Sequence, residues 1–226
     1  MTAMTVTVLG ATGLTGAAVV KGLLARDEVA SVVTPVRRAT DRQHPKLIQR
    51  EVDFDRLDDH ADLFQADVIV CCLGTTIRKA GSQQAFRHVD YDYPLKAAEL
   101  GRSRGTRAFV LMSAIASSSS STVFYNRVKG ELEDSIGGLG YPFLSIYRPS
   151  LLLGDRREHR TAEALGMKAM PLVNRALIGP LERFRGIDAE TVARAMVNEV
   201  CGLTSATDGE GLVRIHEYPD IVALAR

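Results

Sequence analysis

The segment VLGATGLTG, residues 8–16, has glycine at every third position. A short apolar, β-branched run from Met4 to Leu9 leads into it. Apolar residues at helical spacing follow from Leu14 to Ala25. The glycines therefore lie where a strand turns into a helix.

Each glycine of this turn has a steric role in binding a phosphate. A helix N-terminus offers unpaired backbone N–H groups and a partial positive charge, provided that no side chain keeps the ligand away. Gly10 permits the tight turn, Gly13 the close approach of the backbone, and Gly16 the packing of helix on strand. A glycine triplet alone is also typical of an ordinary turn. Between a strand and a helix, however, G-x-x-G-x-x-G predicts a nucleotide-binding turn that includes Thr12 and Leu14.

The composition limits the classes of protein to consider. A chain of 226 residues with 46% hydrophobic content can bury one core, so we expect a single domain over residues 1–226. The net charge of +1 gives no reason to expect a nucleic-acid or anionic-membrane partner. Three cysteines fit neither a disulfide framework nor a zinc spacing, and five scattered histidines predict no metal site. With no long apolar stretch and no signal sequence, we expect a cytoplasmic protein.

Strand-like and helix-like segments alternate along the chain. Helical patterns at about 82–103 and 122–137 separate some of the β-type runs, which cover Val32–Val36, Leu47–Val52, Val68–Leu73, Arg107–Met112 and Phe143–Tyr147. This alternation predicts an α/β fold of the Rossmann type, a doubly wound and mostly parallel sheet. Pro35 falls in the second run, and because proline cannot donate a ladder hydrogen bond we place it at or near the strand's end.

The chain becomes less regular after Gly154. A helix is predicted from Thr161 to about Leu177, and Asp188 is a suitable N-cap for another that runs to about Cys201. A strand at Leu212–His216 and a short terminal helix complete the pattern. We interpret residues from about 154 to 226 as a small C-terminal substrate lobe built onto the main sheet.

Charged residues after the second and third strands bear on the choice of cofactor. An NAD site carries an acidic residue about 20 positions beyond the glycines, which binds the ribose hydroxyls. Arg37 and Arg38 stand here instead, and guanidinium groups favour the 2′-phosphate of NADP(H) over NAD(H). A solvated basic turn is the alternative. Asp53 and Phe54 are placed to flank the adenine, although a capped loop explains them equally well.

The ends of the fourth and fifth strands add further candidates. In CLGTT, Gly74 lets the backbone approach a ligand at the carboxyl edge of the sheet, with Leu73 and Thr75 beside it. Ser113, in VLMSAIAS, follows the fifth strand and is suited to bind a substrate oxygen. Serine at a strand end is also typical of a cap or turn.

The motif YNRVK sets Tyr125 and Lys129 one helical turn apart. A tyrosine hydroxyl titrates near about 10, and a neighbouring ammonium lowers that pKa and makes the hydroxyl useful in acid–base chemistry. Lys129 is also suited to hold the nicotinamide ribose. We therefore predict Tyr125 and Lys129, with Ser113, as catalytic residues.

Taken together, GATGLTG, CLGTT, LMSA and YNRVK resemble the short-chain dehydrogenase/reductase superfamily, in its atypical NAD(P)-binding branch. CCLGTT, AGS, FYNRVKGELE and IYRPSLLLG narrow the likeness to the Tat-interacting-protein oxidoreductase family, from Met4 to about Ile187. This resemblance implies a Rossmann core, NADPH as cofactor and a Ser-Tyr-Lys site. It also implies that the loop from Arg148 and Pro149 to Leu152 borders the nicotinamide, with Ser150 and Leu151 offering backbone contacts.

Several alternatives stay open at this point. Many relatives carry two hydroxyl residues where this chain has Ser113 and Ala114, so Ser117 is the alternative substrate-facing serine. We expect an NADPH-dependent oxidoreductase acting on a small carbonyl or hydroxyl substrate. The alternatives are an NADP(H)-binding regulatory protein that contacts a protein partner without turnover, and an isomerase or epimerase. Asp90 and Tyr91 lie in a helix that often packs against a second subunit, yet monomer and homodimer are both compatible.

Overall fold

The computed structural model describes residues 3–154, 177–203 and 211–226, and its centre is a sheet of seven parallel strands. The strands in chain order are β1 Met4–Leu9, β2 Val29–Val36, β3 Leu47–Glu51, β4 Val68–Cys71, β5 Ala108–Met112, β6 Phe143–Tyr147, β7 Leu152–Leu153, β8 Ile187–Asp188 and β9 Leu212–His216. The main sheet has the order β3-β2-β1-β4-β5-β6-β9, and β7 pairs separately with β8. The reversal between β1 and β4 is the doubly wound topology predicted from the sequence.

Helices cover both faces of this sheet. They are α1 Leu14–Leu24, α2 Ile77–Ala80, α3 Gln83–Arg87, α4 Tyr93–Ser103, α5 Phe124–Gly137, α6 Ala189–Gly202 and α7 Tyr218–Leu224. Within the described ranges, two 3-10 segments lie at Phe54–Phe64 and Gly179–Phe184, and one π-helical turn joins α3 to α4 at His88–Asp92.

The two hydrophobic cores follow from the alternation of side chains along each strand. In β4, Val68 and Val70 pack with residues of α1, α6 and α7, whereas Ile69 and Cys71 pack with residues of α4, α5 and the first 3-10 segment. All four side chains are buried, as expected for a parallel strand covered on both faces. The cores hold the strand ends, and therefore the loops that follow them, in fixed positions.

Most predicted elements are present, with informative differences. The helix predicted at about 82–103 is interrupted by the π-helical turn. Pro35 lies within β2 at its second-to-last position, where β2 pairs only with β3 because the pairing with β1 ends at Val33. The helix after Asp188 and the strand at Leu212–His216 are confirmed, while most of the predicted Thr161–Leu177 helix lies outside the described residues.

Candidate functional site

The glycine turn has no room for side chains. Gly10 has φ of +75°, and a Cβ there would lie 2.5 Å from the carbonyl oxygen of Cys72. A Cβ on Gly16 would lie 2.1 Å from the Gly10 oxygen. The Gly13 N–H donates to that same oxygen at 2.9 Å, which closes the turn. Helix α1 thus begins directly above the end of β1.

The start of α1 is open to a ligand. Gly13 is its N-cap residue, no side chain caps it, and its first turn contains no acidic residue. The N–H groups of this turn therefore keep their capacity to bind an anion. Thr15 lies in the first turn, and its buried hydroxyl has no hydrogen-bond partner in the part of the chain that the structure describes. A bound phosphate would satisfy these groups.

A cleft of about 650 Å³ runs from this helix start along the carboxyl edge of the sheet. Its walls come from the segments that follow β1, β4, β5 and β6, together with α2, the π-helical turn and α5. The predicted site residues that line it are Thr12, Gly13, Leu14, Leu73, Gly74, Thr75, Ser113, Tyr125, Lys129 and Pro149. The fold therefore brings together residues from widely separated motifs along a single cleft.

Lys129 forms a buried ion pair inside this cleft. Its Nζ lies 2.8 Å from Oδ1 of Asp90, and the side chains are 4% and 1% exposed. Burial disfavours the ammonium, but the Asp90 carboxylate and Tyr125 favour it more strongly, so that the pKa of Lys129 is raised above its ordinary value. Lys129 is therefore charged, and Tyr125 stands one turn before it with its ring against Phe86 at 5.4 Å.

Ser113 belongs to a second polar network behind the cleft wall. Its hydroxyl donates to Glu133, a buried carboxylate of α5 that also accepts from Arg148 Nε at 3.1 Å and 3.2 Å. This hydrogen bonding to Glu133 raises the pKa of Arg148, which stays a cation. Ser117 Oγ lies 3.2 Å from Ser113 Oγ and donates to the carbonyl of Ala114 at 2.7 Å. In this arrangement both serine protons are held by protein acceptors.

A second cavity, of about 420 Å³, lies beside the first and shares Thr12 and Ala17 with it. It is bounded by α1, β2, β3 and the loop between these two strands. The basic residue that lines it is Arg42, which donates one N–H to the carbonyl of Ala17 at 3.2 Å. Arg37 and Arg38 are exposed and lie outside the lining of both cavities.

The predicted cofactor contacts Asp53, Phe54 and Leu151 also lie outside these linings. Asp53 caps the first 3-10 segment by accepting from the Asp55 N–H at 3.0 Å, and Phe54 is buried with its ring 5.4 Å from that of Tyr93. Leu151 is 45% exposed. The capped-loop interpretation of Asp53 therefore has a hydrogen bond in its support, whereas adenine contact stays a prediction.

Sequence reasoning missed the roles of four residues in these networks, and it named one of them, Arg148, only as the start of the loop that borders the nicotinamide. Glu133 repeats the spacing of Tyr125 and Lys129 by one further turn, and this periodicity is the signal that could have found it. Asp90 was expected only in a subunit-packing helix, but its side chain faces Lys129. The positions of Arg42 and Arg148 depend on loop geometry that the sequence pattern does not contain. Of the four, Asp90 and Glu133 are buried, and each contacts a residue that lines the cleft: Asp90 contacts Lys129, and Glu133 contacts Ser113.

An uncapped helix start next to a strand-edge cleft in a doubly wound parallel sheet defines a nucleotide-binding protein of the Rossmann type. The family model that matches this chain is the NAD dependent epimerase/dehydratase family, over residues 6–211. The chain belongs to this family. The match supports a nicotinamide dinucleotide as cofactor, and the glycine cradle with the unpartnered Thr15 hydroxyl fits its pyrophosphate.

Curated relatives share much of the sequence. Protein HTATIP2 of Rattus norvegicus is 36% identical over 223 residues, covering 97% of this chain and 88% of the relative. Protein FMP52, mitochondrial, of Meyerozyma guilliermondii is 34% identical, covering 91% and 89%. The predicted likeness to the Tat-interacting-protein family is thereby confirmed.

Solved structures show the same fold at low sequence identity. MoeE5 in complex with UDP-glucose and NAD has a TM-score of 0.68 at 14% identity, covering 96% of this chain and 79% of that one. A short chain dehydrogenase from Burkholderia cenocepacia in complex with NADP has a TM-score of 0.65 at 14% identity, covering 97% and 90%.

The expectation of a cytoplasmic protein is wrong on this comparison. Relatives from Meyerozyma guilliermondii, Candida albicans and Coccidioides immitis all bear mitochondrial names. That expectation rested on composition and on a search for a secretory signal, and neither of these distinguishes the cytoplasm from a mitochondrion. Among the described residues, no helix has the length and apolarity needed to cross a membrane.

Proposed function

We propose that this protein is an NADPH-dependent oxidoreductase that transfers a hydride between the nicotinamide and a small carbonyl or hydroxyl substrate. The observation that carries the proposal is that Tyr125 and the charged Lys129 line the same cleft as the uncapped start of α1. A dinucleotide whose pyrophosphate lies at that helix start reaches along the sheet edge toward Tyr125 and Lys129.

Each of the predicted catalytic residues has a separate role in this reaction. Tyr125 donates its hydroxyl proton to a substrate carbonyl, or accepts one from a substrate alcohol. Lys129 stabilises the phenolate form of Tyr125 and holds the nicotinamide ribose. Ser113 positions the substrate oxygen, and Ser117 is the alternative for this role. When bound, the nicotinamide ring supplies or accepts the hydride.

The preference for NADPH is supported by the basic residues that follow β2. Arg37 and Arg38 stand where an acidic residue selects NAD, and Arg42 lines the cavity beside the glycine turn. A guanidinium binds a 2′-phosphate by charge-assisted hydrogen bonds, whereas NADH offers no charged group there.

A regulatory protein that binds NADP(H) without turnover is the second candidate. One observation favours it: the protons of Ser113 and Ser117 are held by Glu133 and by the Ala114 carbonyl, so neither hydroxyl donates into the cleft in this structure. Catalysis on a carbonyl requires one of these serines to rotate its proton toward the substrate.

NADPH oxidation with a panel of small aldehydes, ketones and quinones tests the two candidates. The oxidoreductase predicts turnover that Tyr125→Phe reduces by at least about 100-fold, the usual contribution of a general acid, with NADPH affinity retained. Tyr218→Phe, a tyrosine outside the lining of the cleft, is the matched control and keeps wild-type turnover. Tight NADPH binding without turnover of any substrate supports the regulatory candidate instead.

A further inference from the structure

We propose that Asp90 is a positioning residue for the reaction, the buried counter-ion that holds the Lys129 ammonium at the cleft wall. This inference rests on the proposed function, because it gives a role to a partner of the catalytic lysine. It assigns to the π-helical turn between α3 and α4 a part in the site that no motif in the sequence indicated.

The first support is the isolation of the pair from water. The two charged atoms are 2.8 Å apart and almost fully buried. An ammonium in such a place is retained only with a counter-charge nearby, since burial alone favours the neutral amine. The titratable groups that face Lys129 are Asp90 from the π-helical turn, Tyr125 from α5 and Cys71 from β4. Burial raises the pKa of Cys71 to about 11, so at neutral pH the carboxylate is the resident negative charge.

The second support is that Asp90 joins two walls of the cleft. Its other oxygen accepts from the Thr75 N–H at 2.7 Å, just beyond the end of β4. A Cβ on Gly74 would lie 3.1 Å from Asp90 Oδ1 and 3.7 Å from Lys129 Nζ, so the absence of a side chain there leaves room for the ion pair beside the backbone. The carboxylate therefore fixes Lys129 relative to the backbone that a nicotinamide ribose would contact.

The third support is the local helix geometry. The π-helical turn at His88–Asp92 places an extra residue in the turn, a feature often found at functional sites. His88 points outward, with its two ring nitrogens 2.8 Å from Asp92 and 2.6 Å from Asp55. Asp90, two residues on, points inward to Lys129. The contacts of His88 with Asp92 and Asp55 therefore stabilise the turn that places Asp90 next to Lys129.

An exposed pair provides a matched control. Lys96 Nζ lies 2.8 Å from Asp58 Oδ1, the same distance as in the buried pair, but the side chains are 39% and 66% exposed. Asp58→Asn removes the same charge from a solvated lysine. Any effect specific to Asp90→Asn is therefore due to burial and to the site.

The experiment combines a stability cycle without cofactor and a pH profile. The melting temperatures of Asp90→Asn, Lys129→Met and the double variant are measured first. We expect Asp90→Asn to lower the melting temperature, and the double variant to melt at or above Asp90→Asn, because Lys129→Met removes the stranded ammonium. Asp58→Asn should match the wild type. Additive losses in the cycle would overturn the proposal.

Cofactor affinity and turnover supply the second readout. Asp90→Ala should weaken NADPH binding by about tenfold, and Asp90→Asn by less, because an amide oxygen still accepts from Thr75. The pH above which turnover falls should move down by at least about one unit in Asp90→Asn, as the buried amine loses its proton more easily. Asp90→Glu should restore the wild-type profile, and an unmoved profile in Asp90→Asn would contradict the proposal. Because the stability cycle needs no turnover, the proposed function can fail while the cycle still decides whether Asp90 is the counter-ion of Lys129.

Discussion

Gly16 and Gly10 are in such close contact that a methyl group added at residue 16 would lie 2.1 Å from the Gly10 carbonyl oxygen. The obstructing atom belongs to the backbone and cannot rotate away. Gly16→Ala must therefore push α1 off the turn, and overpacking of this kind costs about 1–3 kcal/mol of folding free energy. We expect NADPH affinity to fall by more than tenfold in a fluorescence titration.

Gly137→Ala is the control for this prediction. Residue 137 ends α5, and a Cβ there meets no atom within 4 Å. Alanine at such a helical position stabilises by up to about 1 kcal/mol, and affinity should not change. Equal affinities for NADPH in both variants would show that the turn does not bind the cofactor.

Arg42→Ala tests whether Arg42 binds the 2′-phosphate of the proposed NADPH cofactor. Because Arg42 lines the cavity beside the turn, its loss should lower the affinity for NADPH by about tenfold, which is close to the contribution of one charge-assisted hydrogen bond. The affinity for NADH should not change. The Arg37→Ala/Arg38→Ala variant tests the sequence-based assignment by the same pair of titrations. Arg50→Ala, on the exposed edge strand, is the charge-matched control. If the affinities for NADPH and NADH fall equally in every variant, the proposed preference for NADPH is wrong.

Glu199 is the centre of a buried polar network between α6 and the sheet. It accepts from Ser145 at 2.6 Å, from Tyr147 at 2.9 Å and from His216 at 3.0 Å. Burial raises its pKa, but the hydrogen bonds and the charge of His216 outweigh burial, so that the pKa of Glu199 lies below its ordinary value of 4.5. Stability from this carboxylate is therefore present above pH 4.5 and is lost as the pH falls through the lowered pKa.

Glu199→Gln should consequently destabilise the protein by about 1–3 kcal/mol near neutral pH. The difference from wild type should shrink as the solution is acidified below about pH 4.5, which urea denaturation at several pH values would measure. Glu190→Gln, exposed on the same helix, should match the wild type throughout. A deficit in Glu199→Gln that is independent of pH would contradict the assignment.

Glu133→Gln tests the network behind Ser113. It strands Arg148 without its carboxylate, and breaking a largely buried pair of this kind costs about 3 kcal/mol. It also weakens the acceptor that holds the Ser113 proton. The turnover of carbonyl substrates should be retained or increased when it is expressed per folded molecule, which corrects for this loss of stability. A complete loss of turnover in folded Glu133→Gln would instead show that the negative charge itself is required.

The fold was accessible from the sequence because its signals are local. The apolar runs, the turn at VLGATGLTG and the spacing of Tyr125 and Lys129 each depend on residues close together in the chain. Even Pro35 was placed near the end of β2, since a missing N–H is a property of one residue. The sequence also predicted the order of elements around the described part of the C-terminal segment.

The partners of the buried charges could not be predicted from the sequence, because they depend on contacts between distant segments. Asp90 contacts Lys129 because it lies in a π-helical turn, and the extra residue of that turn cannot be predicted from the spacing of apolar residues. Arg148 reaches Glu133 from the end of β6. Charged residues in such patterns are typical of solvated surfaces, and only the packing of α5 against the sheet shows that these two pairs are buried.

Isothermal titration calorimetry of the wild-type protein with NADPH and NADH, repeated on Gly16→Ala, tests whether the glycine turn binds a nicotinamide dinucleotide. We expect one binding site per chain, tighter for NADPH than for NADH, and a loss of heat in the Gly16 variant. The absence of heat with either nucleotide in the wild type, reduced or oxidised, would contradict this expectation.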